Sequence, residues 1–416
     1  MFNTSTYYNY GVRDYWELTI QINSPGENYG LNINGTSPKI SITWGDGSSS
    51  YVTTAGDVSH TYTTAGTYSV KVSGSFASNG NIQQIINEDF NYAYIVIGTS
   101  RMRGLRGINS MTRTFAGCFN LPNIPAGLFD DHPDVTSFES TFAGCYDISG
   151  SIPSGLFNNN PLVTTFYDTF GNCDSITNIP PNLFDNNPLV TNFGYTFNGC
   201  SSINGIPPNL FDFNPLVTTF ARTFSNHLNT TSIPLGLFNN NPLVTDFSAT
   251  FNACQSLTSI PLGLFNLHHL VTDFSATFQG CIALTSIPVG LFNNNPSVTS
   301  FLSTFRDCTS LASIPVGLFN NNTLATSFFR TFQNCTNLTS STTIFSTTNN
   351  PNRFFNQSVN FTNCFSLNNP FTGTQGTAPA LWTYNFGSGT SIKTDCWQNH
   401  STASLTNYAS IPLDWR

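Results

Sequence analysis

The sequence predicts a mainly β protein, in which a small β-sandwich is followed by a solenoid of short parallel strands with turns of 27 residues. Three observations carry that expectation. The first is repetition: Ile233 to Ser259 reads IPLGLFNNNPLVTDFSATFNACQSLTS, Ile260 to Ser286 reads IPLGLFNLHHLVTDFSATFQGCIALTS, and Ile287 to Ser313 reads IPVGLFNNNPSVTSFLSTFRDCTSLAS. A unit this short cannot bury its own apolar face, so neighbours stack and share one core. The second is the cysteine ruler: Cys118, Cys145, Cys173, Cys200, Cys254, Cys281, Cys308 and Cys335 recur at 27 or 28 residues, with one gap of 54 in whose middle stands His227. The third lies ahead of the repeats, where Trp16–Ile22, Lys39–Trp44 and Gly66–Val72 are short alternating runs between Gly, Pro, Asn and Ser turns, the pattern of a sandwich.

In order, the chain divides into a polar, Tyr-rich arm over 1–13, the sandwich over 14–76, a junction and solenoid cap over 77–113, the solenoid over 114–345, and degenerate repeats with a C-terminal cap over 346–416. In the sandwich, Trp44-Gly45-Asp46-Gly47 reads as a strand end entering a tight turn, with glycines supplying positive φ and Asp bonding nearby amides. At the junction, NIQQIINEDF is expected as a helix-like or loop segment, and YAYIVIG as an apolar strand closing the first turn. A solenoid end needs such a cover, because a bare turn exposes core and unpaired strand edge.

Within each unit, Leu257–Ile260 and Val244–Phe247 are expected as short β-like runs, the first ended by a proline that has no N–H for the ladder. The Ala-Thr-Phe-x-x-Cys segment reads as a single helical turn, and Phe238, Phe247 and Phe251 typify three core columns. Asn239-Asn240-Asn241-Pro242 and its copy at 293–296 read as turn chemistry, Asn tolerating left-handed backbone and bonding its own main chain. A cysteine column that accepts His227 is not an obligate disulfide framework; it reads as a slot for a small, buried, weakly polar side chain. Nine regular turns run from Cys118 to Cys335, with two looser ones at Cys364 and Cys396. Trp382, Trp397 and Trp415 are expected to cover the last turn, the other reading being a sugar-stacking platform.

Composition narrows the function. Charged residues make up 8% of the 416, about a third of the usual ~25%, and 38 Phe with many Asn and Thr imply a surface of amides and hydroxyls. A net charge of −8 and the lack of a Lys/Arg run exclude a phosphate-tracking surface; Arg101, Arg103, Arg106 and Arg113 read as a solvated capping turn. No nucleic acid partner is expected. No run of about 18 apolar residues occurs, so no membrane insertion is expected. The first 21 residues lack the basic and apolar regions of a secretory signal. If Met1 is the start, the ten cysteines are expected to remain thiols in a reducing cytoplasm.

The residues ISITWGDG, SHTY and AGTYSVKVSG resemble the polycystic-kidney-disease-type (PKD) immunoglobulin-like domain. That resemblance implies a spacer or a contact module for carbohydrate or protein, and not a catalyst; Asp46 and His60 read as turn and strand residues rather than as metal or acid–base groups. The register F-x-x-C-x-x-L-x-x-I-P resembles the BspA-like leucine-rich-repeat surface proteins, in a 27-residue form close to the DUF285 repeat. It covers about 60% of the chain, implies a leucine-rich-repeat solenoid used in adhesion and binding at surfaces, and brings no catalytic residues.

Catalysis needs a nucleophile, base or metal held at fixed spacing. The six histidines are scattered; His268-His269 reads as a variant turn rather than a metal pair, and without any C-x-x-C the cysteines read as buried thiols rather than zinc ligands. Only four Glu occur, and there is no phosphate loop and no G-x-S-x-G elbow. No enzyme activity, cofactor or metal is expected. The informative positions are those that vary between V-T-x-F and T-F. There, Tyr167, Asp168, Tyr195, Arg222, Phe329 and Arg330 stand among Ser and Ala. They read either as a contact surface or as drift at unconstrained positions.

The expected role is non-enzymatic: a phage virion fibre, decoration or tail protein displayed for host attachment, or alternatively a bacterial or protist cell-surface adhesin. The N-terminal region would meet other virion or surface proteins, and the solenoid a host-surface glycan or protein.

Overall fold

The computed structural model describes residues 14–84, 95–339, 344–345, 352–368 and 374–416; the expected N-terminal arm lies outside them, as does 85–94 of the junction. The described chain is mainly β, and α-helix is absent from it.

The N-terminal part comprises β1 (Trp16–Ile22), β2 (Asn28–Thr36), β3 (Lys39–Thr43), β4 (Ser49–Val52), β5 (Gly56–Thr61), β6 (Gly66–Gln84), β7 (Val96–Thr99) and β8 (Leu105–Ile108). Period-two alternation sends Trp16, Leu18, Ile20 and Ile22 of β1 inward. One sheet runs β4-β3-β6-β1-β7, while β2 pairs with β5 and with the far half of β6. The 19-residue β6 therefore serves both layers: Trp16 and Ile42 face Val72 in its first half, and Ile33 faces Ile82 in its second. This corrects the expectation of a helix-like or loop segment after residue 76. The stretch 77–84, ASNGNIQQ, is largely polar because its side chains meet the first coil of the repeats: Asn81 Nδ2 donates to Thr112 O and Gln84 Nε2 to Thr114 O.

The repeats follow as a stack of coils. Two columns of parallel bridges tie the coils: one runs from Ser110 through Ser137, Thr165, Asn192, Thr219, Asp246, Asp273, Ser300 and Ser327 to Asn360, and a shorter one joins Ser232 to Ser259 and Ser286 to Ser313. The two expected short strands of each unit thus shrink to isolated bridged residues, one or two per coil over most of the length. Two-residue or three-residue pairs form only at β9 (Gly150–Ser151) with β10 (Ile176–Asn178) and at β11 (Val359–Asn360) with β12 (Ser391–Ile392). Three phenylalanine columns fill the interior. Phe142 and Phe170 stack at 5.5 Å and 6°, Phe166 and Phe193 at 5.7 Å and 6°, and Phe157 and Phe184 at 6.1 Å and 9°. Between columns the rings tilt, as for Phe157 and Phe166 at 4.6 Å and 55°, the offset geometry that aromatic quadrupoles favour.

The segment read as a helical turn is instead a run of three linked β-turns, the middle one closed by Asn252 N on Ala249 O. Thr250 N and Cys254 N close back on Phe247 O and Phe251 O, while Ala249 N, Phe251 N and Ala253 N donate to the next coil at Ser275 O, Thr277 O and Gln279 O. A helix would spend those alternate amides internally. Left-handed backbone at Ala249 (φ 52°) and Ala253 (φ 55°) turns them outward along the stack.

Three buried polar columns hold the coils in register. Thr250 Oγ1 reaches Phe220 O of the preceding coil at 3.0 Å and Phe247 O of its own at 2.8 Å. Cys281 Sγ donates to Phe251 O at 3.2 Å, and His227 Nε2 meets Phe197 O at 2.9 Å in the same slot. The cysteine slot is therefore a donor site, which explains why histidine enters it. All ten cysteines are free and buried, and burial pushes the Cys254 thiol up to about 12, keeping it protonated and able to donate. The third column corrects the reading of Asn-Pro as simple turn chemistry. Asn241 is wholly buried, and its Nδ2 donates to Phe211 O and Asn214 O of the preceding coil at 3.0 and 2.9 Å. His268 occupies the same slot through Nε2 on Phe238 O at 3.0 Å.

Both ends are closed. Trp16 packs edge-on against Phe115, so the sandwich lies on the first coil. At the other end Trp397 stacks on Phe365 at 4.4 Å and 3°, Trp415 packs on Phe361, and the half-buried Trp382 packs against the same core. The tryptophans act there as a cover.

Candidate functional site

The outer edge of the linked turns is where the varied residues stand. In each coil the residue before Thr-Phe is left-handed: Arg113, Ser140, Asp168, Tyr195, Arg222, Ala249, Ala276, Ser303 and Arg330 have φ between 50° and 59°. Two other columns are left-handed as well. Before each cysteine, or before His227 in its place, stand Gly117, Gly144, Asn172, Gly199, Asn226, Ala253, Gly280, Asp307 and Asn334, and in the Ile-Pro loop stand Gly or Asn from Gly127 to Gly317. Those two follow the expected preference for Gly, Asn and Asp at positive φ. Across these nine coils the first column uses neither glycine nor asparagine, and at its N-terminal end it carries Arg113, Asp168, Tyr195 and Arg222.

Four of the six residues singled out from the sequence come together there. Tyr167 and Tyr195 lie 5.3 Å apart on adjacent coils, the Arg222 guanidinium sits over the Tyr195 ring at 5.5 Å, and Tyr167 lies against Gly194, whose lack of a side chain leaves room for the ring. Asp168 accepts a hydrogen bond from Ser140 Oγ at 3.1 Å. Burial raises the Asp168 carboxyl above its usual range, opposed by the Ser140 hydroxyl and the Arg113 guanidinium and helped by Glu139. Phe329 and Arg330 form a separate pair, the guanidinium 4.7 Å from the ring centroid. Three coils whose corresponding positions hold Ser248-Ala249, Ser275-Ala276 and Leu302-Ser303 separate that pair from Arg222.

Beside Ser140 a cleft of about 280 Å³ opens between β6 and the first two coils, lined by Gln83, Gln84, Arg113, Ala116, Gly117, Ser140 and Ala143. Gln84 is its fixed back wall, since Tyr29 Oη donates to its Oε1 and its Nε2 donates to Thr114 O. Sequence reasoning did not propose Gln83, Arg113 or Ser140 as contact residues, and it read Arg113 as part of a solvated capping turn. The available signal was the position: Arg113 and Ser140 are the first two members of the column that contains Asp168.

Asp46 and His60 hold a turn. His60 Nε2 lies 2.7 Å from Asp46 Oδ2 and its ring stacks on Trp44, while Ser48 N donates to Asp46 Oδ1 at 2.9 Å. The Ser48 hydroxyl foremost, with His60, lowers the Asp46 carboxyl to about 2. Among the described residues no three His, Cys, Asp or Glu converge as a metal set, and no helix is long and apolar enough to cross a membrane. A row of exposed leucines, Leu162, Leu189, Leu216, Leu243, Leu270 and Leu324, follows the buried Asn column on the outside.

Residues 17–85 match the family model of the PKD domain, and residues 245–369 match the model described as Mycoplasma protein of unknown function, DUF285. Among solved structures, a leucine rich cell surface protein from Faecalibacterium prausnitzii A2-165 is similar at 16% identity over 56% of this chain and 72% of its own, with a TM-score of 0.24. A likeness that loose has no bearing on fold or function. No curated protein matches the chain.

Proposed function

We propose that the chain is a non-enzymatic binding protein of the cell-surface adhesin type, whose repeats form a leucine-rich-repeat solenoid that displays a contact surface. The observation that carries this reading is the left-handed outer column, which holds a fixed backbone from coil to coil while its side chains change from Arg, Asp and Tyr to Ala and Ser. Support comes from the pairing of a PKD-domain match with a DUF285 match in one chain, since the resemblance to BspA-like proteins implies binding at surfaces. The PKD-type sandwich would act as spacer and N-terminal cap. The test is to label intact source cells with antibody to the folded chain, alongside fractionation and mass spectrometry. Labelling of intact cells is expected; recovery only in the soluble cytosolic fraction would overturn the reading.

The second reading is a phage virion component. The ten free buried thiols favour it, because they suit assembly in a reducing compartment. Enrichment of the chain in purified particles rather than in cell envelopes would select this reading.

A further inference from the structure

We propose that the outer face of the first five coils, from the cleft at Gln83 and Ser140 past the Tyr167–Tyr195 pair to Arg222, binds a neutral oligosaccharide. This rests on the surface-binding reading above and names its site and ligand class. Three features of the face select the ligand. Charge comes first: Arg113 and Arg222 are balanced by Glu139 and Asp168, and the interactions around Asp168 already join Arg113, Glu139 and Ser140. A face with two cations set against two carboxylates discriminates against anionic and cationic ligands alike.

The second feature is the kind of recognition available. The backbone amides of Arg113, Ser140, Asp168, Tyr195 and Arg222 all donate to the next coil, at Glu139 O, Tyr167 O, Gly194 O, Ala221 O and Ser248 O. An extended peptide that adds to a sheet edge would find no free amide at these positions. Recognition must come from side chains, here a carboxamide, hydroxyls, carboxylates and guanidinia beside two tyrosine rings. Alternating hydroxyls and apolar C–H faces of a sugar ring match that set, hydroxyls to the polar groups and C–H faces to aromatic surface.

The third feature is shape. Ala116, Gly117 and Ala143 line the cleft next to Arg113 and Ser140, so small side chains lie beside longer polar ones. Its volume of about 280 Å³ is near the lower end of the ~300–1,000 Å³ typical of ligand sites, suited to one or two sugar rings with the chain continuing toward Tyr167.

The molecule supplies its own controls. Coils further along carry Ser248-Ala249 and Ser275-Ala276 at the positions of Tyr167-Asp168, with the same left-handed backbone at Ala249 and Ala276. Tyr167→Ser, Asp168→Ala and Tyr195→Ala therefore install residues this fold already accepts. The experiment probes the full chain on an array of immobilised neutral, amino, sialylated and sulfated oligosaccharides, then measures the strongest neutral binder in solution by calorimetry. Expected is selective binding to neutral oligosaccharides, weakened at least tenfold by each of the three substitutions and not by Leu302→Ser, with thermal unfolding unchanged. Preference for sialylated or sulfated probes would overturn the ligand class. Neutral binding that survives all three substitutions would overturn the site. Absence of oligosaccharide binding, with antibody labelling of intact cells still positive, would overturn this proposal and leave the surface reading standing; loss of that labelling alone would count against the surface reading only.

Discussion

At the residue scale, the stack depends on polar side chains that reach one coil back. Asn241 shows how much was legible. Its recurrence before proline was plain in the sequence, yet turn chemistry and a buried ladder use the same residue type, and only burial separates them. Asn241→Ala leaves Phe211 O and Asn214 O without their side-chain donor and is expected to cost about 2–4 kcal/mol in urea unfolding. Asn241→His, which copies His268, should lose less. The same slots make the fold sensitive to acid. Burial lowers His227 and His268 to about 4 and also lowers His132 and His400. An unfolded histidine titrates near ~6.5, so between pH 6.5 and 4 the unfolded chain binds protons that the folded one refuses. Stability is then full above pH 6.5 and falls as pH drops toward 4, by on the order of 3 kcal/mol for His227 alone. Thermal melts from pH 8 to 4 check this. His227→Cys, which restores the donor used by the other coils, should flatten part of the decline, and an unchanged profile would refute the assignment.

At the element scale, the alternation of inward-donating and coil-bridging amides decides the shape of each turn. The sequence suggested a helical turn at Ala-Thr-Phe-x-x-Cys because residue spacing alone does not reveal the sign of φ. The signal was nevertheless present one column over, where Gly, Asn and Asp precede nearly every cysteine. Ala253 is the exception in that column at φ 55°. Ala253→Gly is expected to stabilise by up to about 1 kcal/mol, and Gly280→Ala to destabilise by a similar amount, read as shifts in urea midpoint. The phenylalanine columns were legible because an apolar residue in fixed phase has one physical use. The long β6 was not legible: its second half is polar on a face that meets the first coil, and no period-two pattern announces such a strand. The six residues proposed for contact divided in the structure into a group of four and a remote pair, because sequence variability reports position in the unit but not distance along the stack.

At the scale of the whole molecule, each coil meets its neighbours through the same set of bonds, so energy adds coil by coil and the ends carry the exceptions. Deleting residues 260–286 joins Ser259 to Ile287 in phase and is expected to give a folded, slightly less stable chain by circular dichroism and thermal melting. Deleting 260–272 breaks the phase and should prevent folding. Removing a cover is worse than removing a coil: Trp397→Ala strips the ring from Phe365 and is expected to cost about 3–5 kcal/mol, with aggregation on heating. The five tryptophans are Trp16 and Trp44 in the sandwich and Trp382, Trp397 and Trp415 in the C-terminal cover, with none in the coils between. Intrinsic emission excited at the indole band is therefore a two-ended optical probe. It reports fraying of either terminus and is silent about the middle, so a mismatch between emission and far-ultraviolet melting curves would time which part of the rod lets go first.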